Sequence, residues 1–309
     1  SYEQLKILSQ FGLNRISLGI QDFDSRVQKA VNRVQSFDMV AKFVDWCRSF
    51  NLQINFDLIY GLPFQNLQSI QTTLKQVTQL APDRIAFYRL AMIPQMFKWQ
   101  KSFQRMDLPD EEETLKINLF AINYFQDSSY GFIGLDHFAK QEDRLYQAWK
   151  HQTLRRNFQG MTTLRDVSIV GLGPSSISQF CGGYVQKEKD YKKWQNLDQS
   201  SVYIKSHLFS QDDRIRKDLI ESLYCYGVIE KHSISYKWGI DFDSYFHSEL
   251  TSLKPLIEEG LVSIESDGSH IRLSQSLGRL LLRAVAAKFD SYLQNPNKNS
   301  SRPMFSKLG

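Results

Sequence analysis

The sequence contains few cysteines and histidines, the side chains that most often bind transition metals. It has three cysteines and six histidines among 309 residues, and no two cysteines have the short spacing of a metal site. The histidines form no His-x-His or His-x-x-x-His pair. Cys47, Cys181 and Cys225 are therefore expected to be buried small apolar side chains or isolated thiols. The sequence predicts no metal site.

Long apolar runs and a strong charge of one sign are also missing. No run approaches the roughly 20 apolar residues that span a bilayer, and there is no secretory signal. Lysine and arginine number 38 and aspartate and glutamate 33, and this net charge of +5 decides little about partners. An apolar content of 42% supports a real core. Unpaired cysteines fit a reducing compartment, so we expect a cytoplasmic protein of about two domains.

Short apolar strands alternate with amphipathic helices in the first hundred residues. Residues 15–22, 54–60 and 84–91 are predicted strands, and the second is too short for a helix before its Gly-Leu-Pro stop. Helices are predicted from Asp24, and from Ser36 as an N-cap. A further helix has apolar residues at helical spacing, namely Leu67, Ile70, Leu74, Val77 and Leu80. This order predicts parallel βαβ units, either in an open doubly wound sheet or in part of a barrel.

The C-terminal region, from Asp212 to about Leu293, is predicted to be helical with one hairpin, and a further helix is predicted before it. An acidic run at 110–113 suits a helix N-terminus, and that helix continues through Leu115, Leu119 and Ile122. Residues 261–264 and 271–273 flank an Asp-Gly turn and predict a β-hairpin. With the helix before it and Leu277–Leu280 after it, the hairpin suggests a winged-helix-like unit.

A winged-helix-like unit raises nucleic-acid binding as a rival function. The helix in question carries three glutamates, Glu249, Glu258 and Glu259, against one cation, Lys254. Contacts to phosphates need clustered lysine or arginine. A structural role for this unit is therefore favoured, and no nucleic-acid partner is expected.

Six segments carry motifs that occur together in one enzyme family. They are residues 12–23 (GLNRISLGIQDF), 31–33 (VNR), 56–63 (FDLIYGLP), 132–139 (FIGLDHFA), 156–163 (RNFQGMTT) and 171–178 (GLGPSSIS). In this order and near this spacing, they resemble the oxygen-independent coproporphyrinogen III oxidases, radical S-adenosylmethionine enzymes of haem biosynthesis. The haem-chaperone-like branch shares the Gln-Asp and Gly-Leu-Pro motifs. It differs at the Asn-Phe-Gln-Gly-x-Thr-Thr segment, so the oxidase branch is favoured.

The resemblance implies a fold and a division of the chain. The fold is α/β, with a partial radical-SAM (β/α)6 barrel that holds the last three strands, and a helical, winged-helix-like C-terminal domain. The barrel and its extension would occupy residues 1–205, the C-terminal domain residues 206–294, and a flexible tail residues 295–309. An unpaired edge at the third strand is expected to lower solubility.

The resemblance also implies two cofactors, S-adenosylmethionine and a 4Fe–4S cluster. The family binds the cluster through Cys-x-x-x-Cys-x-x-Cys, and neither this loop nor the family's glycine-rich segment occurs in the sequence. We therefore expect a downstream fragment or a piece of a split reading frame, with the cluster ligands outside this chain. A cluster-free paralogue is the alternative. The isolated chain is expected to be inactive.

The implied activity is oxidative decarboxylation of the propionates of coproporphyrinogen III to vinyl groups, which gives protoporphyrinogen IX. The partners would be the porphyrinogen substrate and an electron donor or acceptor, and the intact protein is expected to be a monomer. The alternative is a cluster-free protein that binds porphyrin or haem, similar to a haem chaperone.

By resemblance, five positions would contact S-adenosylmethionine: Gln21, Arg33, Asp57, Ala91 and Ile177. A carboxylate accepts from ribose hydroxyls, glutamine bonds sugar or amino groups, and arginine holds a carboxylate. Ala91 and Ile177 would give backbone or apolar contacts. Without the resemblance, Arg33 reads as a surface ion pair, Asp57 as a turn carboxylate and Ile177 as core.

The substrate's propionates call for cationic residues, and Arg89, Arg155 and Arg156 are candidates from charge alone. Asp136 and His137 are candidate catalytic residues, since histidine moves protons near neutral pH. The alternative is a hydrogen-bonded supporting pair. At residues 89–92 the family commonly has Asn-Tyr-Ala-His, whereas this chain has Arg-Leu-Ala-Met, so substrate contacts there are in doubt.

Overall fold

The computed structural model of the chain describes residues 1–95, 98–103, 108–198, 201–274 and 281–294. Its packing divides the chain into two units, which meet in sequence between Thr153 and Leu154. The predicted tail at 295–309 and the apolar segment 277–280 lie outside the described residues. No helix of the described residues is long and apolar enough to cross a membrane.

The first unit contains one five-stranded sheet and six α-helices among its described residues. The strands are β1 (Arg15–Gln21), β2 (Gln53–Tyr60), β3 (Arg84–Arg89), β4 (Tyr130–Gly134) and β5 (His137–Lys140). The helices are α1 (Tyr2–Gln10), α2 (Ser25–Ala30), α3 (Phe37–Ser49), α4 (Leu67–Leu80), α5 (Glu111–Asp127) and α6 (Arg144–Lys150), with a 3-10 turn at Lys98–Ser102.

The sheet has the order β1-β2-β3-β5-β4, and its described strands do not close into a barrel. β1, β2 and β3 run parallel, as the βαβ pattern predicts. β5 pairs antiparallel with β3 on one side and with β4 on the other. The expected free edge at the third strand is therefore wrong, because the Arg84–Ala86 stretch of β3 is paired with β5. The outer strands of this sheet are β1 and β4.

Alternation along β2 explains which face of the sheet holds the core. Ile54, Phe56, Leu58 and Tyr60 are buried, while the residues between them are half-buried. Side chains of a strand point alternately to opposite faces, so the apolar set faces the helices. It packs there with buried side chains of the helices, which include Val40, Val44, Leu74, Val77 and Ile117.

The helix ends follow the predicted capping chemistry. Ser36 accepts a hydrogen bond from the Met39 amide at the start of α3, and Asp110 accepts from the Glu113 amide at the start of α5. The predicted helix through Leu115, Leu119 and Ile122 is confirmed as α5, although Leu115 and Leu119 are exposed. The buried face of α5 is formed instead by Thr114, Ile117, Ala121 and Phe125.

The second unit holds small sheets and helices. Its strands are β6 (Arg155–Asn157), β7 (Gly160–Thr162), β8 (Ile177–Phe180), β9 (Gly183–Lys187), β10 (Tyr203–Leu208), β11 (Val228–Glu230), β12 (Val262–Ile264) and β13 (His270–Leu273). Its helices are α7 (Tyr191–Gln195), α8 (Gln211–Tyr226), α9 (Lys231–Trp238), α10 (Phe242–Tyr245), α11 (His247–Glu258), α12 (Leu282–Lys288) and α13 (Ser291–Gln294).

The described strands of the second unit form three antiparallel sheets: β6-β7, β8-β9-β10 and β11-β13-β12. The predicted hairpin is confirmed, since β12 pairs with β13, and β11 adds a third strand that the sequence did not suggest. Residue 205, near which the domain boundary is predicted, lies inside β10. Whether residues 206–294 fold as a domain of their own stays a prediction.

Candidate functional site

The side of the sheet that faces away from the apolar core is polar, and we call it the polar face. Ser17 and Gly19 on β1 share it with Asn55 and Asp57 on β2, because the register pairs Ser17 with Asn55 and Gly19 with Asp57. The register shifts before Gln21, and the side chain of Gln21 reaches the same face by lying over Gly19. Parallel strands end at the same edge of a sheet, and binding groups of α/β proteins gather at that carboxyl edge. The polar face therefore places two of the five predicted cofactor residues, Gln21 and Asp57, in one region.

Gln21 and Arg33 meet above Gly19. A β-carbon added to Gly19 would lie 2.8 Å from Nε2 of Gln21 and 3.0 Å from Nη2 of Arg33. The backbone of Gln21 has a φ of 64°, and the strand register shifts between Gly19 and Gln21. Oε1 of Gln21 is buried and has no hydrogen-bond partner among the residues that the structure describes. The amide of Gln21 and the guanidinium of Arg33 thus lie side by side on this face, with glycine leaving the space for both.

Asp57 is held by two neighbours on the same face. Its Oδ2 accepts from Ser17 Oγ at 2.8 Å, and its Oδ1 accepts from Asn55 Nδ2 at 2.9 Å. Asn55 Nδ2 also lies 2.8 Å from Ser17 Oγ. Each carboxylate oxygen keeps a further lone pair, so Asp57 is oriented and can still accept from a ligand. It does not act as a turn carboxylate, since it lies inside β2.

Asp22, next to Gln21, points into the core and ties β1 to the turn after β2. It is 1% exposed and accepts from Thr73 Oγ1 at 2.6 Å and from Gln65 Nε2 at 2.6 Å. Gln65 in turn bonds the amide of Leu62 and the carbonyl of Ile59. Burial raises the pKa of Asp22, and its hydrogen bonds oppose that rise. The Gly-Leu-Pro turn is therefore fixed to the strand end that carries Gln21.

A second buried amide, Gln28 on α2, fixes the loop that carries Arg33. Its Nε2 donates to the carbonyls of Asp22 and Gln35, at 2.8 and 2.7 Å. Its Oε1 accepts from the amide of Gln35 at 3.0 Å. Arg33 itself is exposed and makes no ion pair with the described residues. The expectation of a plain surface ion pair therefore finds no partner among them.

His137 lies on the same face of the sheet, two strands away from Asp57. The register pairs Asp57 with Ala86 and Ala86 with His137, which separates the two backbones by about 10 Å at the usual strand spacing. Nε2 of His137 is 3.4 Å from the hydroxyl of Tyr88. Asp136 is buried, and its carbonyl accepts from the amide of Phe87 at 2.8 Å. Their catalytic role stays a prediction.

Ala91 follows β3 at the carboxyl edge of the sheet. Its carbonyl accepts from Nε2 of Gln100 at 2.8 Å, and Gln100 also bonds the amide of Ile93. One lone pair of this carbonyl is therefore already used within the chain. Arg89 forms an ion pair with Glu111, which competes with a role in holding propionates.

Ile177, Arg155 and Arg156 belong to the second unit. Ile177 begins β8 and lines a cavity of about 270 Å³ together with Phe158 and other residues, so it is not simply core. Arg155 has a half-exposed side chain 4.0 Å from Glu221. Arg156 packs its guanidinium over the ring of Tyr224, at 4.5 Å from the centroid.

The three cysteines lie far apart in the sequence and differ in their exposure. Cys47 and Cys225 are buried and Cys181 is exposed. Burial raises the pKa of both buried thiols, to about 12 for Cys225. Within the part of the chain that the structure describes, no three His, Cys, Asp or Glu side chains come close enough to hold a metal ion.

Comparison with known proteins decides the family. Residues 1–77 match the Radical SAM superfamily. The chain is 42% identical over 307 residues to an oxygen-independent coproporphyrinogen III oxidase of Synechocystis sp., which covers 97% of the chain and 65% of that protein. An oxidase of the same name from Thermostichus vulcanus is 38% identical over 294 residues, covering 92% of the chain and 88% of that protein. The chain belongs to the oxygen-independent coproporphyrinogen III oxidase family.

A solved member of the oxidase family supports the same conclusion for the fold. The coproporphyrinogen III oxidase of Escherichia coli, a radical SAM enzyme, superposes with a TM-score of 0.86 at 36% identity. The match covers 95% of the chain and 68% of that structure. The α/β fold is therefore that of the oxidase, and the chain spans about two thirds of the length of this protein and of the Synechocystis relative.

The oxidase family uses S-adenosylmethionine and a 4Fe–4S cluster, and the described residues fit only the first. The buried acceptor of Gln21, the cation of Arg33 and the oriented carboxylate of Asp57 complement hydroxyl, ammonium and carboxylate groups. The separated cysteines do not fit a cluster, which needs thiolates held together.

Four residues that hold the site in shape are missing from the sequence-based prediction: Ser17, Gln28, Asn55 and Gln65. The alternation of strand side chains was a usable signal for Ser17 and Asn55, since they lie two residues from Gly19 and Asp57. Nothing local in the sequence marks Gln28 and Gln65, because their partners lie in other loops.

Proposed function

We propose that the polar face binds S-adenosylmethionine for an oxygen-independent coproporphyrinogen III oxidase. The observation that carries this proposal is the grouping of Gln21, Arg33 and Asp57 around Gly19. Oε1 of Gln21 is buried there and receives no hydrogen bond from any residue that the structure describes. A buried acceptor without a partner costs about 1–3 kcal/mol. A ligand that donates a hydrogen bond to Oε1 removes this cost, which favours binding.

Each of the three residues has a separate task in this proposal. Arg33 pairs with the carboxylate of the methionine part. Gln21 accepts a hydrogen bond through Oε1 and offers Nε2 as a donor, and Asp57, oriented by Ser17 and Asn55, accepts from ribose hydroxyls. Bound there, the cofactor would supply the one-electron chemistry of the family.

The overall reaction we propose is the family reaction, oxidative decarboxylation of two propionates of coproporphyrinogen III to vinyl groups, giving protoporphyrinogen IX. His137 and Tyr88 lie on the polar face and can hold a proton between Nε2 and the hydroxyl. The substrate and an electron donor or acceptor are the proposed partners, with a monomer as the intact form. Free cysteines agree with a location in the cytoplasm.

We further propose that these 309 residues alone do not turn over substrate. The three cysteines do not fit a 4Fe–4S cluster, so we assign these residues no reaction step that requires one. The alternative, a cluster-free haem or porphyrin carrier, is not favoured, since the named relatives are oxidases.

The fold details that we propose are the last three strands of a (β/α)6 barrel and a winged-helix-like C-terminal domain. Three neighbouring parallel strands and the β11-β13-β12 sheet next to helices support them. We propose a structural role for that domain rather than nucleic-acid binding. Glu249 of α11 forms an ion pair with Arg216 of α8 at 2.8 Å, so its carboxylate connects two helices of the second unit.

Calorimetric titration of the purified chain with S-adenosylmethionine tests the binding site without any turnover. Arg33→Gln is expected to weaken binding about tenfold or more, because a charge-assisted pair with a carboxylate is lost. Arg26→Gln on α2 is the matched control, since Arg26 is exposed and lies over the ring of Phe64, and it should leave affinity within about twofold. Equal affinities of wild type and Arg33→Gln would refute the assignment.

A further inference from the structure

The second unit contains a cavity with aromatic walls, which we call the aromatic cavity. Its volume is about 340 Å³, and its lining includes Phe158, Tyr184 and Phe209. The ring of Tyr184 stands edge-on to Phe158 at 6.0 Å and to Phe209 at 4.9 Å. Small-molecule sites of proteins have a similar size, and they combine apolar surface with polar groups that fix the orientation of the ligand. The cavity therefore offers flat apolar surfaces to a ring.

Two donors that line the aromatic cavity lack partners. Nε of Arg156 and Oγ of Ser291 are buried and have no hydrogen-bond partner in the described part of the chain, and Ser291 is 8% exposed. Lys217 also lines the cavity, with Nζ 5.8 Å from the centroid of Phe209. Neither Arg156 nor Lys217 forms an ion pair with the described residues. Each buried donor left unsatisfied costs about 1–3 kcal/mol, so the cavity favours an acceptor.

The carboxylates of the aromatic cavity are already engaged by other groups. Asp213 accepts from the amide and the hydroxyl of Ser210, both at 2.8 Å, and these bonds help to hold its pKa below the ordinary value against the effect of burial. Asp290 accepts from the amide of Tyr292 at 2.9 Å. Glu221 accepts from the backbone amide of Arg156 at 3.0 Å. These bonds orient the three carboxylates, whereas Nε of Arg156 and Oγ of Ser291 have no partner among the described residues and can donate to a ligand.

We propose that the aromatic cavity binds a propionate-bearing pyrrole ring of a tetrapyrrole. Arg156 and Ser291 donate to the carboxylate, Lys217 adds positive charge, and Tyr184 and Phe209 pack against the ring. Arginine suits this task because its guanidinium is always charged and bonds carboxylates along two directions. Identification of the ring as a pyrrole rests on the function proposed above, whereas the recognition of a carboxylate rests on the cavity alone.

The structure separates Arg156 from its neighbour Arg155, which gives a matched control. Arg155 does not line the aromatic cavity and lies near Glu221 with a half-exposed side chain. Coproporphyrin III, the stable oxidised macrocycle with four propionates, serves as the probe and its tetramethyl ester as the neutral analogue. Binding to the purified chain is followed through the Soret band, without S-adenosylmethionine or a reductant.

Arg156→Gln is expected to raise the dissociation constant for coproporphyrin III about tenfold or more, and Ser291→Ala about threefold, as hydrogen bonds to a carboxylate are lost. Arg155→Gln should stay within about twofold of the wild type, because exposed charges contribute little. The tetramethyl ester should bind the wild type at least about tenfold more weakly than the acid, because an ester lacks the carboxylate charge that Arg156 and Ser291 would bind. Circular dichroism of each variant checks that the fold is kept.

The proposal is overturned if wild type and Arg156→Gln bind coproporphyrin III equally, if the ester binds as tightly as the acid, or if the wild type binds neither. Should Arg156→Gln fail to fold, the Ser291→Ala value decides in its place. Failure of the cofactor assignment looks different, since it would appear as absent S-adenosylmethionine binding with coproporphyrin binding retained.

Discussion

Gln21 and Asp22 are neighbours in the chain but face opposite sides of the same sheet. Asp22 points into the core, where Thr73, Gln65 and the Asp24 amide all donate to it. Gln21 points to the polar face, where its Oε1 is equally shielded from water and receives no hydrogen bond. On the core side, the carboxylate of Asp22 receives hydrogen bonds from other residues of the chain. On the polar face, Oε1 of Gln21 receives none from the described residues. That difference separates a structural group from a binding group better than burial does.

Removing bulk from the core side should give the largest effect of the four changes. Phe56 is fully buried on β2, so Phe56→Ala leaves a cavity and is expected to lower the free energy of unfolding by about 3–5 kcal/mol. Denaturant unfolding measures the loss. Affinity for S-adenosylmethionine at low temperature should change less than about threefold, since the side chain faces away from the site. A loss under about 1 kcal/mol would contradict the assignment of the two faces.

Asp22→Asn tests the satisfied side of the comparison. The amide replaces one of two accepting oxygens with a donor, which then faces another donor, and the free energy of unfolding should fall by about 2 kcal/mol. Burial raises the folded-state pKa of Asp22, so its carboxyl stabilises at low pH and that contribution is lost as the pH rises through the folded-state pKa.

The gap in stability between wild type and Asp22→Asn should therefore be larger at pH 5 than at pH 8. Chemical unfolding at both pH values measures it. Asp38→Asn, an exposed carboxylate in the first turn of α3, is the control and should cost less than about 1 kcal/mol. If the stability difference between wild type and Asp22→Asn grew with rising pH, the folded-state pKa of Asp22 would be lowered rather than raised.

Gly19→Ala tests the polar face directly. The new methyl group would lie 2.8 Å from Nε2 of Gln21 and 3.0 Å from Nη2 of Arg33, so both side chains must move. Affinity for S-adenosylmethionine is expected to fall about tenfold, or about 1.4 kcal/mol. Gly182→Ala is the control, because its methyl group meets no atom within 4 Å. Unchanged affinity in titration of Gly19→Ala would place the cofactor elsewhere.

Ser17→Ala should have the smallest effect. It removes one of the two donors that orient Asp57 and leaves Asn55 in place. The affinity loss should be about threefold, with the free energy of unfolding within about 0.5 kcal/mol of the wild type at this surface position. Ser9→Ala on α1 removes a hydroxyl that bonds only the Lys6 carbonyl, and it should leave affinity unchanged.

The regular part of the fold was predictable because its signals are local. Gly-Leu-Pro ended β2, Ser36 began α3, and the helical spacing of Ile70, Leu74 and Val77 gave the buried face of α4. The helix through Leu115 and Leu119 was also predictable, but its buried face was not, since α5 buries Ile117 and Ala121 while both leucines are exposed. Which stripe of a helix is buried depends on what lies next to it, and a single sequence does not contain that.

Strand pairing and the site's support were the parts that the sequence could not reveal. The pairing of β3 with β5 joins segments about fifty residues apart. The contacts of Gln65 with Asp22 and of Ser17 with Asp57 are similarly distant, at separations of 43 and 40 residues. The resemblance supplied Gln21, Arg33 and Asp57 as separate positions. The register pairs Gly19 with Asp57, and Gln21 and Arg33 meet over Gly19, which brings the three into one place.

The different exposure of the three cysteines allows the protein to be labelled at one position. Alkylating reagents attack the thiolate, and both buried thiols have raised pKa values, whereas Cys181 is exposed. One equivalent of a maleimide dye near neutral pH should therefore label the native chain at Cys181 alone. Cys181 and Arg156 line a common cavity of about 210 Å³, so the unmutated protein already carries a position for a fluorescent reporter of the second unit.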